Sequence, residues 1–191
     1  TVFQGDGIGP EVMSPTLRLL EACCAGTGAR FAFEEAPAGA GHYARYGEAL
    51  PPSSLDEARN ADAILLSAMG LPDVRYPDGT EISPQIDLRI AMGLYAGVRP
   101  VTVVPGQPCP LADPRAAHID LVLVRESTEG LFHARGRGRI EGAGDDQAAY
   151  DTMKITRRGT ARVCDFALRL ARQRKARGLP GRVTNVDKAN V

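Results

Sequence analysis

No tryptophan occurs in this 191-residue chain, and phenylalanine and tyrosine together make up only 5% of it. Single-stranded nucleic acids are held on aromatic platforms set among basic residues, so this scarcity argues against such a partner. Net charge is missing too: 23 Lys plus Arg balance 23 Asp plus Glu, leaving no overall field towards a polyanion or an anionic membrane. The local basic runs, Arg135-Gly-Arg-Gly-Arg139 and residues 169–177, read as a flexible arm and as the solvated face of a helix. No apolar run approaches the roughly 18 residues that span a bilayer, and no signal-peptide pattern opens the chain. The expectation is a cytoplasmic protein without a membrane partner. Cys23, Cys24, Cys109 and Cys164 show neither C-x-x-C spacing nor pairing with histidine, and read as small buried hydrophobes in a reducing compartment. His42, His118 and His133 are too scattered for a zinc site.

What is present is a hydrophobic share of 43%, ample for a packed core in one large or two small domains. Strand and helix signals alternate as in a parallel α/β sheet. After a strand stub over 1–3, the pattern predicts a helix over 10–26 with Pro10 at its start, and a strand over 31–36. A short serine-capped helix follows over 53–60, then a buried strand over 63–67. Further strands are expected over 101–104 and 119–124. Thr156 caps a long helix whose Val163, Phe166, Ala167 and Leu170 form one apolar face, with Arg157, Arg158, Arg162 and Arg172 on its wet side. There is no internal repeat.

The most informative segment is Ile119-Asp-Leu-Val-Leu-Val-Arg-Glu-Ser-Thr-Glu-Gly-Leu-Phe132. An apolar run ends abruptly in charged and hydroxyl groups, at the carboxyl end of a strand, where open α/β sheets bind ligands. Arg125 is therefore a candidate anion clamp, the alternative being a strand-end salt bridge. Arg89 and Arg99 also lie on or beside apolar elements. Guanidinium matches carboxylate in bidentate geometry, so three such arginines suit a small polyacid. Lys188, in Val183-Thr-Asn-Val-Asp-Lys-Ala-Asn-Val191, follows a β-type run. It is either a strand-end surface lysine or, if its pKa is lowered, a general base.

Gly5-Asp-Gly-Ile-Gly-Pro-Glu11, Asp87-Leu-Arg89, Arg99-Pro100, Arg125-Glu-Ser-Thr-Glu-Gly130 and Val186-Asp-Lys-Ala-Asn-Val191, in this order, resemble the β-decarboxylating dehydrogenases of isocitrate, isopropylmalate, tartrate and D-malate. The G-x-G-x-G spacing is not the Rossmann fingerprint, so dinucleotide binding does not follow from that motif. The resemblance implies a two-domain, three-layer α/β/α fold with a mostly parallel sheet, of which this chain is an incomplete part. Residues 1–98 would belong to the first domain and 99–191 to the second, with a dimer-clasping arm near 133–150.

The implied reaction is oxidation of a 2-hydroxy acid by NAD or NADP with Mg2+ or Mn2+, followed by loss of the β-carboxylate. The carboxylates would be held by Arg89, Arg99 and Arg125, and Lys188 would be the base. Asn190, Ile8 and Ser83 would lie near the cofactor, and a homodimer is implied. Where isopropylmalate enzymes carry leucines, this sequence offers Ser83, Gln85 and Ile86. Polar groups there disfavour an apolar substituent and point to hydrogen, hydroxyl or carboxylate instead.

Two departures qualify the implication. The tyrosine that assists enol protonation in the family is replaced by Phe132, which carries no proton to give. His133 would substitute only by facing the site, and strand alternation sets it opposite Phe132. The family's metal-binding aspartates and most of its NAD-binding wall come from a further carboxyl-terminal half, so no metal ligand is named here. The sequence is expected to be part of a longer enzyme and inactive alone. A non-catalytic or regulatory homologue that keeps anion-binding arginines is the alternative, favoured by Phe132 and opposed by the intact Lys188 and all three arginines.

Overall fold

A computed structural model describes residues 1–187, so Lys188 and Asn190 lie outside the described residues. The chain divides into two compact units, Thr1–Met92 and a second beginning at Gly93.

In the first unit, β1 (Val2–Phe3) and β2 (Leu65–Leu66) pair in parallel. Between them run α1 (Gly9–Cys24), α2 (Ala40–Tyr46) and α3 (Pro52–Asn60), and α4 (Pro84–Ala91) follows. Proline lies in the first turn of α1, α3 and α4, where a missing N–H costs nothing. Gly47, at φ 78°, closes α2 in the left-handed conformation that glycine adopts without strain. Phe3, Ala36, Ala58 and Leu88 form one buried cluster; Ala40, Ala49 and Ile82 form another. Removing a side chain such as Phe3 from water stabilises by about 1.5–3 kcal/mol. Because Ile82 and Leu88 belong to these clusters, the helix that carries Arg89 is fixed by packing before and along its length.

Several details differ from the expected elements. Residues 31–36 make no ladder; Glu35 forms one parallel bridge with Val2, flanked by backbone bonds of 2.7 and 2.9 Å. The expected strand over 63–67 is reduced to β2, and Leu66 is 36% exposed. Ser53 does not cap α3, which starts at Pro52, while the Ser54 hydroxyl donates to the Pro37 carbonyl. Helices α2 and α4, at seven and eight residues, are too short to print a helical period in the sequence.

In the second unit, β3 (Ala96–Thr102) and β4 (Asp120–Glu126) form an antiparallel ribbon, from Ala96 opposite Glu126 to Thr102 opposite Asp120. A hairpin of β5 (Arg139–Glu141) and β6 (Ala148–Tyr150) follows, then α5 (Arg157–Ala176), which packs on β4. The α/β class stands, with its parallel pairing in the first unit and antiparallel pairs in the second. The Thr156 hydroxyl accepts from the Gly159 N–H at 3.0 Å and caps α5. Val163, Phe166, Ala167 and Leu170 form its less exposed face.

β4 is not buried on both faces. Leu121 and Leu123 are 43% and 55% exposed, whereas Val122 and Val124 are half-buried. The pleat sends alternate side chains to opposite faces. Only the Asp120 and Glu126 face meets α5, through Arg174 and Arg162. The cysteines also depart from expectation: Cys23, Cys109 and Cys164 are exposed and Cys24 is half-buried. Cys164 follows Val163 by one helical step, which turns it off the packed face of α5.

Candidate functional site: an exposed arginine pair

Arg99 faces Leu123 across the ribbon, and Gly97 faces Arg125. Directly opposed residues share a face, and so do residues two apart along a strand. Arg99 and Arg125 therefore stand on one face as a diagonal pair, with a typical separation of about 7–8 Å. Both are exposed, although each lies in an apolar run of the sequence. The Arg125 guanidinium carbon lies 5.5 Å from the centre of the Phe132 ring. Phe132 and His133 sit in a 3-10 turn, Leu131–Ala134, so strand alternation does not govern where His133 points.

Behind the arginine pair the exit of β4 is moored to α5. The Glu126 carboxylate accepts from the Thr128 hydroxyl at 2.5 Å, and from the backbone N–H groups of Thr128 at 2.8 Å and Glu129 at 2.7 Å. Arg162 adds an ion pair to Glu126 at 3.1 Å. Burial pushes the Glu126 carboxyl up, but the Thr128 hydroxyl, the two N–H groups and Arg162 together outweigh it. They hold the group below the usual carboxylate range. Arg162 is thus not on the wet side of α5 as its periodicity implied; its side chain is 29% exposed and stacks 4.6 Å from the Tyr95 ring centre. Glu129 accepts from the Thr156 N–H at 2.8 Å and from its hydroxyl at 2.6 Å.

In the first unit, Ser83 is buried and directly precedes α4. Gln85 and Arg89 are spaced i, i+4 on that helix and share a face. The Gln85 Oε1 atom is buried without a hydrogen-bond partner among the described residues. Ile8 is 60% exposed just ahead of α1. The structure thus groups the predicted residues as Gln85 with Arg89 in one unit and Arg99 with Arg125 in the other.

Sequence reading passed over Asp6. Its carboxylate, only 8% exposed, accepts from the N–H groups of Ala40 at 2.7 Å and of Gly41 and Gly70 at 2.8 Å. It ties the glycine loop to the start of α2 and to the loop that leads to Ser83. The glycines around it serve close backbone packing. A Cβ at Gly5 would collide with the Ala68 carbonyl, and one at Gly9 would come within 2.5 Å of the Gln4 carbonyl oxygen. An acid between two glycines ahead of a proline-started helix was the available signal.

Among the described residues no group of three or more His, Cys, Asp or Glu side chains could hold a metal ion. Mg2+ and Mn2+ need several oxygen ligands, and the buried carboxylate of Asp6 is already occupied by backbone N–H groups. The described residues do not themselves fit a divalent cation, and no chemical step is assigned to one. Ile8 is an exposed apolar side chain, and the described residues hold no Rossmann phosphate loop.

The whole chain, residues 1–191, matches the family described as isocitrate/isopropylmalate dehydrogenase. It is 37% identical over 198 residues to 3-isopropylmalate dehydrogenase of Moorella thermoacetica, covering 100% of this chain and 53% of that protein. It is 39% identical over 190 residues to 3-isopropylmalate/3-methylmalate dehydrogenase of Methanocaldococcus jannaschii, covering 100% and 50%. Among solved structures, isocitrate dehydrogenase from Methylococcus capsulatus superposes with a TM-score of 0.74 at 28% identity, covering 91% of this chain and 47% of that one. A β-decarboxylating dehydrogenase from Thermococcus kodakarensis gives 0.60 at 35% identity, covering 93% and 46%. The chain spans about half the length of these relatives.

Proposed function

Since the chain belongs to the isocitrate/isopropylmalate dehydrogenase family, we propose that it serves the oxidative decarboxylation of a small 2-hydroxy polycarboxylic acid, with NAD or NADP and Mg2+ or Mn2+. The observation that carries this reading is the exposed diagonal pair of Arg99 and Arg125. Two guanidinium forks on one face suit carboxylate oxygens, and Arg89 supplies the third arginine of the family pattern. Lys188 takes the hydroxyl proton, with Asn190, Ile8 and Ser83 beside the cofactor. The cofactor, when bound, supplies the hydride acceptor. The arm near 133–150, here the β5–β6 hairpin with Ile140 69% exposed, clasps a second copy in a cytoplasmic homodimer.

Ser83 and Gln85 favour a substrate whose third substituent is hydrogen, hydroxyl or carboxylate. The buried, unpartnered Gln85 Oε1 would stay unpaired against an isopropyl group, which costs about 1–3 kcal/mol. The names of the relatives support the second choice, an isopropyl or methyl substituent. A third reading, a carboxylate-binding subunit without catalysis, is favoured by Phe132.

Steady-state assay of the full-length protein with Mn2+, NAD or NADP, and isocitrate, tartrate, D-malate or 3-isopropylmalate separates these readings. Cofactor reduction with one of the first three is expected. Reduction with 3-isopropylmalate alone would overturn the substrate preference, and no reduction with any acid would favour the binding subunit. For the preferred acid, Arg125→Gln should raise KM at least about tenfold, the scale of one lost charge-assisted contact.

A further inference from the structure

Arg162 lies far along the sequence from the arginine pair, yet its contacts surround the strand end that carries Arg125. Its Nη2 donates to Glu126 Oε1 at 3.1 Å and to the Thr128 hydroxyl at 2.5 Å. Its guanidinium carbon sits 4.6 Å from the centre of the Tyr95 ring. The Tyr95 carbonyl in turn accepts from the Ser127 N–H at 2.9 Å. Arg162 therefore touches the residue leading into β3 and two residues just beyond Arg125.

Glu126 and Arg125 are neighbours on one strand, so their side chains leave on opposite faces. Fixing Glu126 against α5 fixes Arg125 on the other face, beside Arg99. The turn then reaches a second tether, where Glu129 binds Thr156, before delivering Phe132 to the Arg125 guanidinium. There is little room for slack: a Cβ at Gly97 would stand 2.8 Å from the Ser127 hydroxyl and 3.9 Å from the Arg125 Cβ. Burial of Arg162 Nε without a partner among the described residues is a cost carried by this arrangement.

We infer that Arg162 is a positioning residue for substrate: by locking Glu126 and Thr128 onto α5 it presents Arg125 on the Arg99 face for carboxylate binding. The inference rests on the dehydrogenase reading above. A merely structural ion pair would affect the folded fraction and the melting temperature, and would leave carboxylate affinity alone. A positioning role separates substrate KM from kcat and from the KM of the cofactor.

The test compares full-length wild type with Arg162→Met and Arg162→Lys, using the hydroxy acid that the wild type oxidises. Arg162→Met should raise the KM for that acid about tenfold, with kcat and cofactor KM within about threefold of wild type. Arg162→Lys, which keeps charge without the planar fork, should recover part of the loss. If Arg162→Met fails to fold, Thr128→Val removes one partner of the lock and should raise the same KM about threefold. An unchanged substrate KM in the folded variants overturns the inference while leaving the dehydrogenase reading intact, as does a parallel loss of cofactor affinity. A wild type that oxidises none of the acids overturns both.

Discussion

Asp6 shows how much one side chain organises in the first unit. Three backbone N–H groups from two separate segments end on its carboxylate. Asp6→Asn keeps the shape but replaces an acceptor-only group with one whose amide donors face donors. It should destabilise the protein by about 1–3 kcal/mol in urea denaturation; a midpoint equal to wild type would show that the three bonds contribute nothing net. Phe132 is the second residue on which much depends. Its ring lies against Arg125, so a hydroxyl added to it would sit near the proposed carboxylate site. Phe132→Tyr should raise decarboxylation relative to oxidation, measured as carbon dioxide released per reduced cofactor, and an unchanged ratio would exclude a missing proton donor.

Among the elements, the join between β4 and α5 holds one group, Glu126, whose titration links stability to pH. Glu126 titrates below its usual range because its partners outweigh its burial. A group with a lowered native pKa adds stability that is fully present above its ordinary value, about 4.3, and is lost as pH falls through the lowered native value. Glu126→Gln should therefore be less stable than wild type at pH 7, and the gap should narrow below about pH 4. Denaturation at both pH values checks this, and a gap that stays constant would assign the loss to packing. The start of α5 lies against the same mooring: a Cβ at Gly159 would meet the Glu129 carboxylate, which would have to shift from its place beside Thr156.

At the scale of the molecule, two units each hold part of the predicted set. Gln85 and Arg89 share a face of α4, and Arg99 and Arg125 share a face of the ribbon. Both pairings follow from element periods, i, i+4 for the helix and two for the strand. The arginines were legible because charged residues in apolar runs are rare, and the Thr156 cap because its chemistry is local. Burial was not legible. The exposed cysteines and the open Leu121 and Leu123 face depend on which neighbours pack where. Nor was Arg162, since its periodic position on α5 says nothing about Glu126, 36 residues earlier.

By itself the sequence determined the α/β class, the family pattern and the arginines, because periodicity, capping and motif order are local properties that survive without neighbours. Only the tertiary structure decided that Arg125 is exposed, that it pairs diagonally with Arg99, and that Asp6 and Arg162 hold the loops in place. Those facts depend on strand register and on hydrogen bonds between residues distant in sequence, which no local pattern specifies.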